Sequence, residues 1–240
     1  MHGPLTQRGN ILFLILLAVI LFAALSYAVT ASTKGGEGKA AGGDKLQLAV
    51  SQLLQDASLT EQTVNRLRLS GGCKDTEISF ESAATNALGW SYANVYAPAD
   101  KHCNVYDAAG GGMSWKTPPK ELLDPAATSG TYYGAYMISN NSMLFNMGAS
   151  NACPDGLDLV LFLGFITDEA CTEINKRTGL NTLTTNSTPL WDGGRFRGTY
   201  GTPCGYGWNS GDRYSRTGCS RGDSNLPGKQ NSFYQILIAR

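Results

Sequence analysis

The sequence predicts an α+β protein with an N-terminal transmembrane helix, a Gly-rich linker, and an amphipathic helix packed on an antiparallel, disulfide-stapled β-rich domain. A charge-free apolar run near the N-terminus, helical spacing of apolar residues after it, and short β-like runs carrying six cysteines indicate this class. For a chain of 240 residues we expect four parts. They are a polar leader at 1–9, an apolar helix at 10–30, a linker at 31–45 and one extracytoplasmic domain at 46–240.

The apolar helix is predicted from residues 11–29, which contain no charged side chain. At about 1.5 Å rise per residue a helix of this length spans roughly 28 Å, close to the hydrocarbon thickness of a bilayer. A helix that is apolar on every side requires lipid or the centre of a helical bundle. The sequence therefore predicts that the chain binds a membrane through residues 11–29.

The apolar stretch permits three interpretations. It fits a secretory signal cleaved after the small residues Val29 and Ala31, and it also fits an uncleaved signal anchor. The third interpretation depends on the order Gln7-Arg8-Gly9-Asn10-Ile11-Leu12-Phe13, in which a short leader ends in a basic residue and Gly directly before the apolar run. This arrangement resembles the class III leader of type IV pilins and type II secretion pseudopilins.

The resemblance implies that a prepilin peptidase cuts between Gly9 and Asn10, and that the helix remains as membrane anchor and filament core. Major pilins carry Glu at the fifth mature position, where this chain has Leu14, and usually begin with Phe or Met rather than Asn. The resemblance thus implies a minor subunit of a surface filament or secretion pseudopilus, in a bacterial inner membrane with a periplasmic or cell-surface body. Its partners would be other pilin-like subunits and the peptidase.

The cysteines favour an oxidising compartment, because all six follow the apolar run and their number is even. No pair has the C-x-x-C spacing of a zinc site and only His102 follows residue 2, so we expect neither metal nor cofactor. Proximity along the chain makes 73–103, 153–171 and 204–219 the simplest pairing, and the other connectivities stay open. The disulfide candidates are Cys73, Cys103, Cys153, Cys171, Cys204 and Cys219.

A glycine-rich stretch at 33–44 predicts a flexible linker, and helical patterning resumes at Lys45. The predicted helix ends at Gly71-Gly72. Its apolar face packs on its own domain or, alternatively, on a partner helix. That face comprises Leu46, Val50, Leu53, Ala57, Thr60, Val64 and Leu67.

Beyond Cys73 the pattern changes to strands separated by turns. One helix is predicted among them, at 168–178, with Thr167 as N-cap and Gly179 as the stop; Cys171, Ile174 and Leu180 should face inward. The predicted strands are 76–80, 91–96, 131–139, 142–147, 157–165 and 232–239.

Residues 193–229 are rich in Gly, Tyr and Arg, with six basic against two acidic side chains. This composition predicts a possible binding loop formed by Tyr206, Trp208, Arg213 and Arg216. Its aromatic side chains could stack on sugars or bases, and its arginines could pair with phosphates. The alternative function is therefore a secreted or anchored adhesion domain that recognises glycan or nucleic acid.

Two short motifs match hydrolase signatures, but the sequence around them lacks the residues and elements that such sites need. Gly218-Cys219-Ser220-Arg221-Gly222 matches G-x-S-x-G, but no apolar strand precedes it and no His follows it. Gly222-Asp223-Ser224 is followed by too few residues for a trypsin-like pocket. We therefore expect that the protein is not an enzyme.

Overall fold

The computed structural model describes residues 9–34, 40–128, 132–144, 157–180, 195–200, 207–208, 215–220 and 231–240. The chain divides into two compact units, Met1–Lys45 and Leu46–Arg240. The second unit is α+β, with an antiparallel sheet and two disulfides among the described residues.

The first unit contains helix α1, Gly9–Lys34, and the start of helix α2, Ala40–Leu69. Residues 31–34 and 40–45, which the sequence assigned to the linker, are therefore helical; residues 35–39 lie outside the described part. Within α1, side chains are described for Phe13 and residues 15–27. When only described residues are considered, no helix is long and apolar enough to cross a membrane.

Helix α2 packs its predicted apolar face into the core of the second unit. Val50, Leu53 and Val64 are completely buried, whereas Leu48 and Leu59 on other faces are exposed. Leu46 is partly buried against the same core. The heptad spacing of the sequence is thus explained by packing within the chain's own domain.

The sheet contains five strands in the described residues, in the order β3-β1-β2-β5-β4. Four pair antiparallel, and the two-residue strand β3 pairs parallel with β1. The central strands β2 and β5 are almost entirely buried. The strands are β1 (Met137–Leu144), β2 (Asp158–Ile166), β3 (Gly207–Trp208), β4 (Thr217–Ser220) and β5 (Asn231–Ile238).

The two faces of the sheet belong to two hydrophobic clusters. Leu161, Leu163 and Phe233 lie in the large cluster that also contains the buried residues of α2. Phe162 and Tyr234 alternate with them along β2 and β5 and belong to a second cluster. This alternation is the period of two that a β-strand imposes.

The region between α2 and β1 differs most from the sequence prediction. No strand forms at 76–80 or 91–96; instead, a 3₁₀ helix spans Asp75–Glu77, and Ser79 makes an isolated bridge to Asn104. The Asn94 side chain donates hydrogen bonds to the carbonyl oxygens of Thr76 and Ile78, both at 2.8 Å. A side-chain amide thus satisfies carbonyls that a strand at 76–80 would pair, so the predicted strand there is wrong. The strand predicted at 91–96 is wrong as well.

Short elements complete this region. They are helix α3 (Ala83–Ala87) and two 3₁₀ helices at Lys120–Leu122 and Pro125–Ala127. Ser82 caps α3 by accepting a hydrogen bond from the Thr85 N–H at 3.1 Å. The predicted strands 131–139 and 142–147 are replaced by the single strand β1 within the residues described there.

Helix α4 spans Asp168–Thr178, as the sequence predicted. The Thr167 hydroxyl accepts a hydrogen bond from the Ala170 N–H at 3.1 Å, and Gly179 adopts a left-handed conformation with φ of 76°. Cys171 and Ile174 are buried as expected, and Leu180 is partly exposed. Local capping signals were sufficient to define this helix.

Candidate functional site

Most of the possible binding loop lies outside the described residues, including Tyr206 and Arg213. Trp208 forms β3 with Gly207, and only its backbone is described. Arg216 is described and its guanidinium lies 2.9 Å from a carboxylate oxygen of Glu61 on α2. The Gln235 side chain of β5 donates to the other oxygen of Glu61 at 2.8 Å. Arg216 therefore connects α2 to the edge of the sheet.

The processing residues Gly9 and Asn10 are the first two residues of α1. Apolar side chains are exposed along this helix at consecutive positions, including 15–17 and 19–22. Because successive helical residues point about 100° apart, consecutive exposed positions place apolar surface on every side of the helix. Exposed apolar surface of this extent is typical of segments that contact lipid or other proteins.

The first disulfide joins Cys73 to Cys103, as proximity along the chain predicted. The second joins Cys171 to Cys219, so the predicted pairs 153–171 and 204–219 are wrong. Helix α4 packs on β4, which brings together two cysteines that are 48 residues apart. Cys153 and Cys204 lie outside the described residues.

Asn175 reinforces the second disulfide. Its side-chain oxygen accepts a hydrogen bond from the Cys219 N–H at 2.7 Å, and its side-chain nitrogen donates to the Cys219 carbonyl at 2.8 Å. Asn175 is buried and lies one helical turn after Cys171. The amide therefore occupies the hydrogen-bonding positions that a neighbouring strand would fill on the open edge of β4, a device that protects a sheet edge.

The first disulfide has a histidine beside it. One ligand atom each from Cys73, His102 and Cys103 lies within 4.8 Å of the other two, the one such group of three among the described residues. His102 Nδ1 is 2.6 Å from Asp100 Oδ1. Both sulfurs are buried and His102 is half-buried. The predicted pairing of Cys73 with Cys103 already places His102 beside a disulfide, because His102 and Cys103 are adjacent in the chain; the contact with Asp100 appears only in the structure.

A small cavity of about 20 Å³, room for about one water molecule, lies between α2 and the segment 106–116. Its lining includes Tyr106, Trp115 and Tyr136, and the carboxylate of Asp56 forms an ion pair at 2.6 Å with Lys116. The other Asp56 oxygen and the Tyr136 hydroxyl are buried without a hydrogen-bond partner in the described structure. Burial, together with the charge of Asp56, raises the pKa of Tyr136 far above its usual range.

Neither hydrolase motif forms a recognisable site in the described residues. Ser220 is buried at the end of β4, and Ser224 lies outside the described part. His102 precedes both serines in the chain, and its Nδ1 lies 2.6 Å from Asp100 Oδ1.

Comparisons with protein-family models, with curated proteins and with solved structures found no match to this chain.

Proposed function

We propose that the protein is a membrane-anchored, pilin-like structural subunit, a minor component of a surface filament or secretion pseudopilus. The observation that carries the proposal is α1, a 26-residue helix that begins at Gly9-Asn10 and exposes apolar side chains on every side. Such a helix can leave lipid only for another apolar environment, and the bundled helices of a filament provide one.

The second unit supports a structural role. An amphipathic helix buried against an antiparallel sheet makes a rigid body, and the two described disulfides stabilise it in an oxidising compartment. The cavity beside Asp56 holds about one water molecule, far less than the pockets of about 300 Å³ or more that usually bind small molecules.

The mature N-terminus tests the proposal. We would express the full chain in bacteria with and without a prepilin peptidase and determine the first residue by mass spectrometry. A peptidase-dependent start at Asn10 is expected. A start at Ser32 would instead indicate a secreted protein, and an uncut chain would indicate a simple anchor; either result overturns the proposal.

Two matched substitutions distinguish between the two possible cleavage sites, one after Gly9 and one after Ala31. Gly9→Val places a branched side chain directly before the proposed cut and should leave the leader attached. Ala31→Leu enlarges the small residue that signal peptidase would need and should leave processing unchanged. The reverse pattern, with Ala31→Leu blocking cleavage and Gly9→Val having no effect, is incompatible with a pilin-like subunit.

Assembly requires a separate measurement. A photoreactive amino acid at Leu21, which is 62% exposed on α1, should cross-link to the N-terminal helices of other pilin-like subunits in the membrane. The same group at Val95, on the exposed surface of the second unit, serves as the control position. Cross-linking of Leu21 to lipid alone, with no protein adduct, would contradict a role in a filament.

A further inference from the structure

The group formed by Cys73, His102 and Cys103 has the composition of a metal site. Two sulfurs and an imidazole are ligands that zinc and other thiophilic ions prefer. Their ligand atoms already lie within 4.8 Å of one another. Cys73 follows the turn that ends α2, whereas His102 and Cys103 belong to a later loop, and the Cys73–Cys103 bridge holds the two segments together.

Asp100 holds the ring and the backbone of His102. Asp100 Oδ1 lies 2.6 Å from His102 Nδ1 and also accepts a hydrogen bond from the His102 backbone N–H at 3.3 Å. Metal-binding histidines commonly donate one ring N–H to a carboxylate, which fixes the ring and leaves the other nitrogen for the metal. Here Asp100 holds Nδ1, so coordination by His102 would use Nε2.

Backbone hydrogen bonds hold both cysteines independently of the disulfide. The Cys73 N–H donates to the Leu67 carbonyl at 3.1 Å, and the Cys103 carbonyl accepts from the Ser79 N–H at 3.0 Å. The Cα atoms of the two cysteines are 5.8 Å apart. Opening the S–S bond therefore leaves two thiols that remain close to each other and to His102.

We propose that Cys73, Cys103 and His102 bind a thiophilic metal ion of the Zn²⁺ type when the disulfide is reduced, with Asp100 as the positioning residue. A dithiol reductant supplies two electrons and two protons, becomes a disulfide itself, and leaves two thiols on the protein. Zn²⁺ then displaces both thiol protons and binds two thiolates and neutral imidazole, with water completing four ligands. Because the same sulfurs form the disulfide, the oxidised and metal-bound forms exclude each other.

The second described disulfide is the matched control. Cys171 and Cys219 have the Asn175 amide as their polar neighbour, and both its oxygen and its nitrogen are engaged with Cys219. No histidine or carboxylate joins these sulfurs in a group of three among the described residues. Reduction of this bridge should therefore create no comparable site.

Binding of Co²⁺, a spectroscopic substitute for Zn²⁺, tests the proposal. The full chain in detergent is reduced with a phosphine, which becomes the phosphine oxide, and titrated with Co²⁺ under argon; Zn²⁺ affinity is then measured by competition with a chromophoric chelator. We expect one ion per chain and a thiolate-to-metal charge-transfer band. The Cys171→Ser/Cys219→Ser variant should retain that band, and Cys73→Ser/Cys103→Ser should lose it.

Two single substitutions, at Asp100 and His102, should leave the fold intact, since both side chains lie at least partly at the surface. Asp100→Asn should weaken Zn²⁺ binding about 10–100-fold, the usual effect of losing the partner of a ligating histidine. His102→Ala should weaken it at least as much. The proposal is overturned if His102→Ala keeps the wild-type affinity for Zn²⁺. It is also overturned if the charge-transfer band persists in Cys73→Ser/Cys103→Ser, or if the reduced full chain shows no band. Circular dichroism of every reduced variant shows whether its fold is retained.

Discussion

At the scale of single residues, removing the hydroxyl group from each of two buried tyrosines should have opposite effects on stability. The Tyr92 hydroxyl accepts a hydrogen bond from the Ile138 N–H at 3.0 Å, whereas the Tyr136 hydroxyl has no partner in the described structure. Tyr92→Phe should lower the free energy of unfolding by about 1–3 kcal/mol, because it leaves a buried N–H unpaired. Tyr136→Phe should leave stability unchanged or raise it slightly, because it removes an unsatisfied group.

Urea unfolding of the two variants measures this difference. A loss of more than about 1 kcal/mol in Tyr136→Phe would show that its hydroxyl has a partner after all, such as a water molecule in the cavity beside Asp56.

Burial raises the pKa of Tyr92 and the pKa of Tyr234 to about 12 each. The unfolded chain loses these protons near pH 10, so between about pH 10 and 12 it binds fewer protons than the folded chain. Stability should therefore be intact below pH 10 and fall as the pH rises toward 12. Alkaline unfolding followed by tyrosinate absorbance checks this, and ionisation of both tyrosines near pH 10 without unfolding would contradict it.

At the scale of the element, substitutions on the buried and exposed faces of α2 should differ in their effect on stability. Leu53 is completely buried, so Leu53→Ala should cost about 2–5 kcal/mol through lost burial and the cavity it leaves. Leu59 lies on the same helix and is 41% exposed, so Leu59→Ala should change stability by about 0.5 kcal/mol at most. Equal losses in the two variants, measured by urea unfolding, would show that α2 packs differently.

The attachment of α4 to the sheet edge permits a second test at this scale. Asn175→Ala leaves the buried N–H and carbonyl of Cys219 unpaired, and each unpaired group should cost about 1–3 kcal/mol. Because Cys171–Cys219 holds the same two elements together, the two contributions should be coupled. A double-mutant cycle with Cys171→Ala/Cys219→Ala measures the coupling, and strictly additive losses would contradict a shared role.

At the scale of the whole molecule, the disulfides connect distant parts of the chain. Proteolysis without reduction should release one peptide pair containing Cys73 and Cys103 and another containing Cys171 and Cys219. The loop-entropy relation gives about 4 kcal/mol of stabilisation for each bridge. A peptide pair joining Cys171 to Cys153 would contradict the packing of α4 on β4.

The sequence by itself predicted the longer helices, because their signals are local, and missed the short helix α3. Periodic apolar residues placed the buried face of α2, and Thr167 and Gly179 defined the ends of α4. The central strands at 157–165 and 232–239 were predicted to within about a residue, since their apolar runs need burial on both faces. The apolar segment 11–29 predicts an anchor on the same local grounds.

Only the tertiary structure decided what depends on contacts between distant residues. It paired Cys171 with Cys219 and formed β4 in a glycine-rich segment with hardly any aliphatic residue. It also let Asn94 satisfy the carbonyls of the strand predicted at 76–80. It also placed Asp100 against the His102 ring, beside the predicted Cys73–Cys103 bridge. Spacing along a chain cannot specify these pairings, because they are selected by the packing of whole elements against one another.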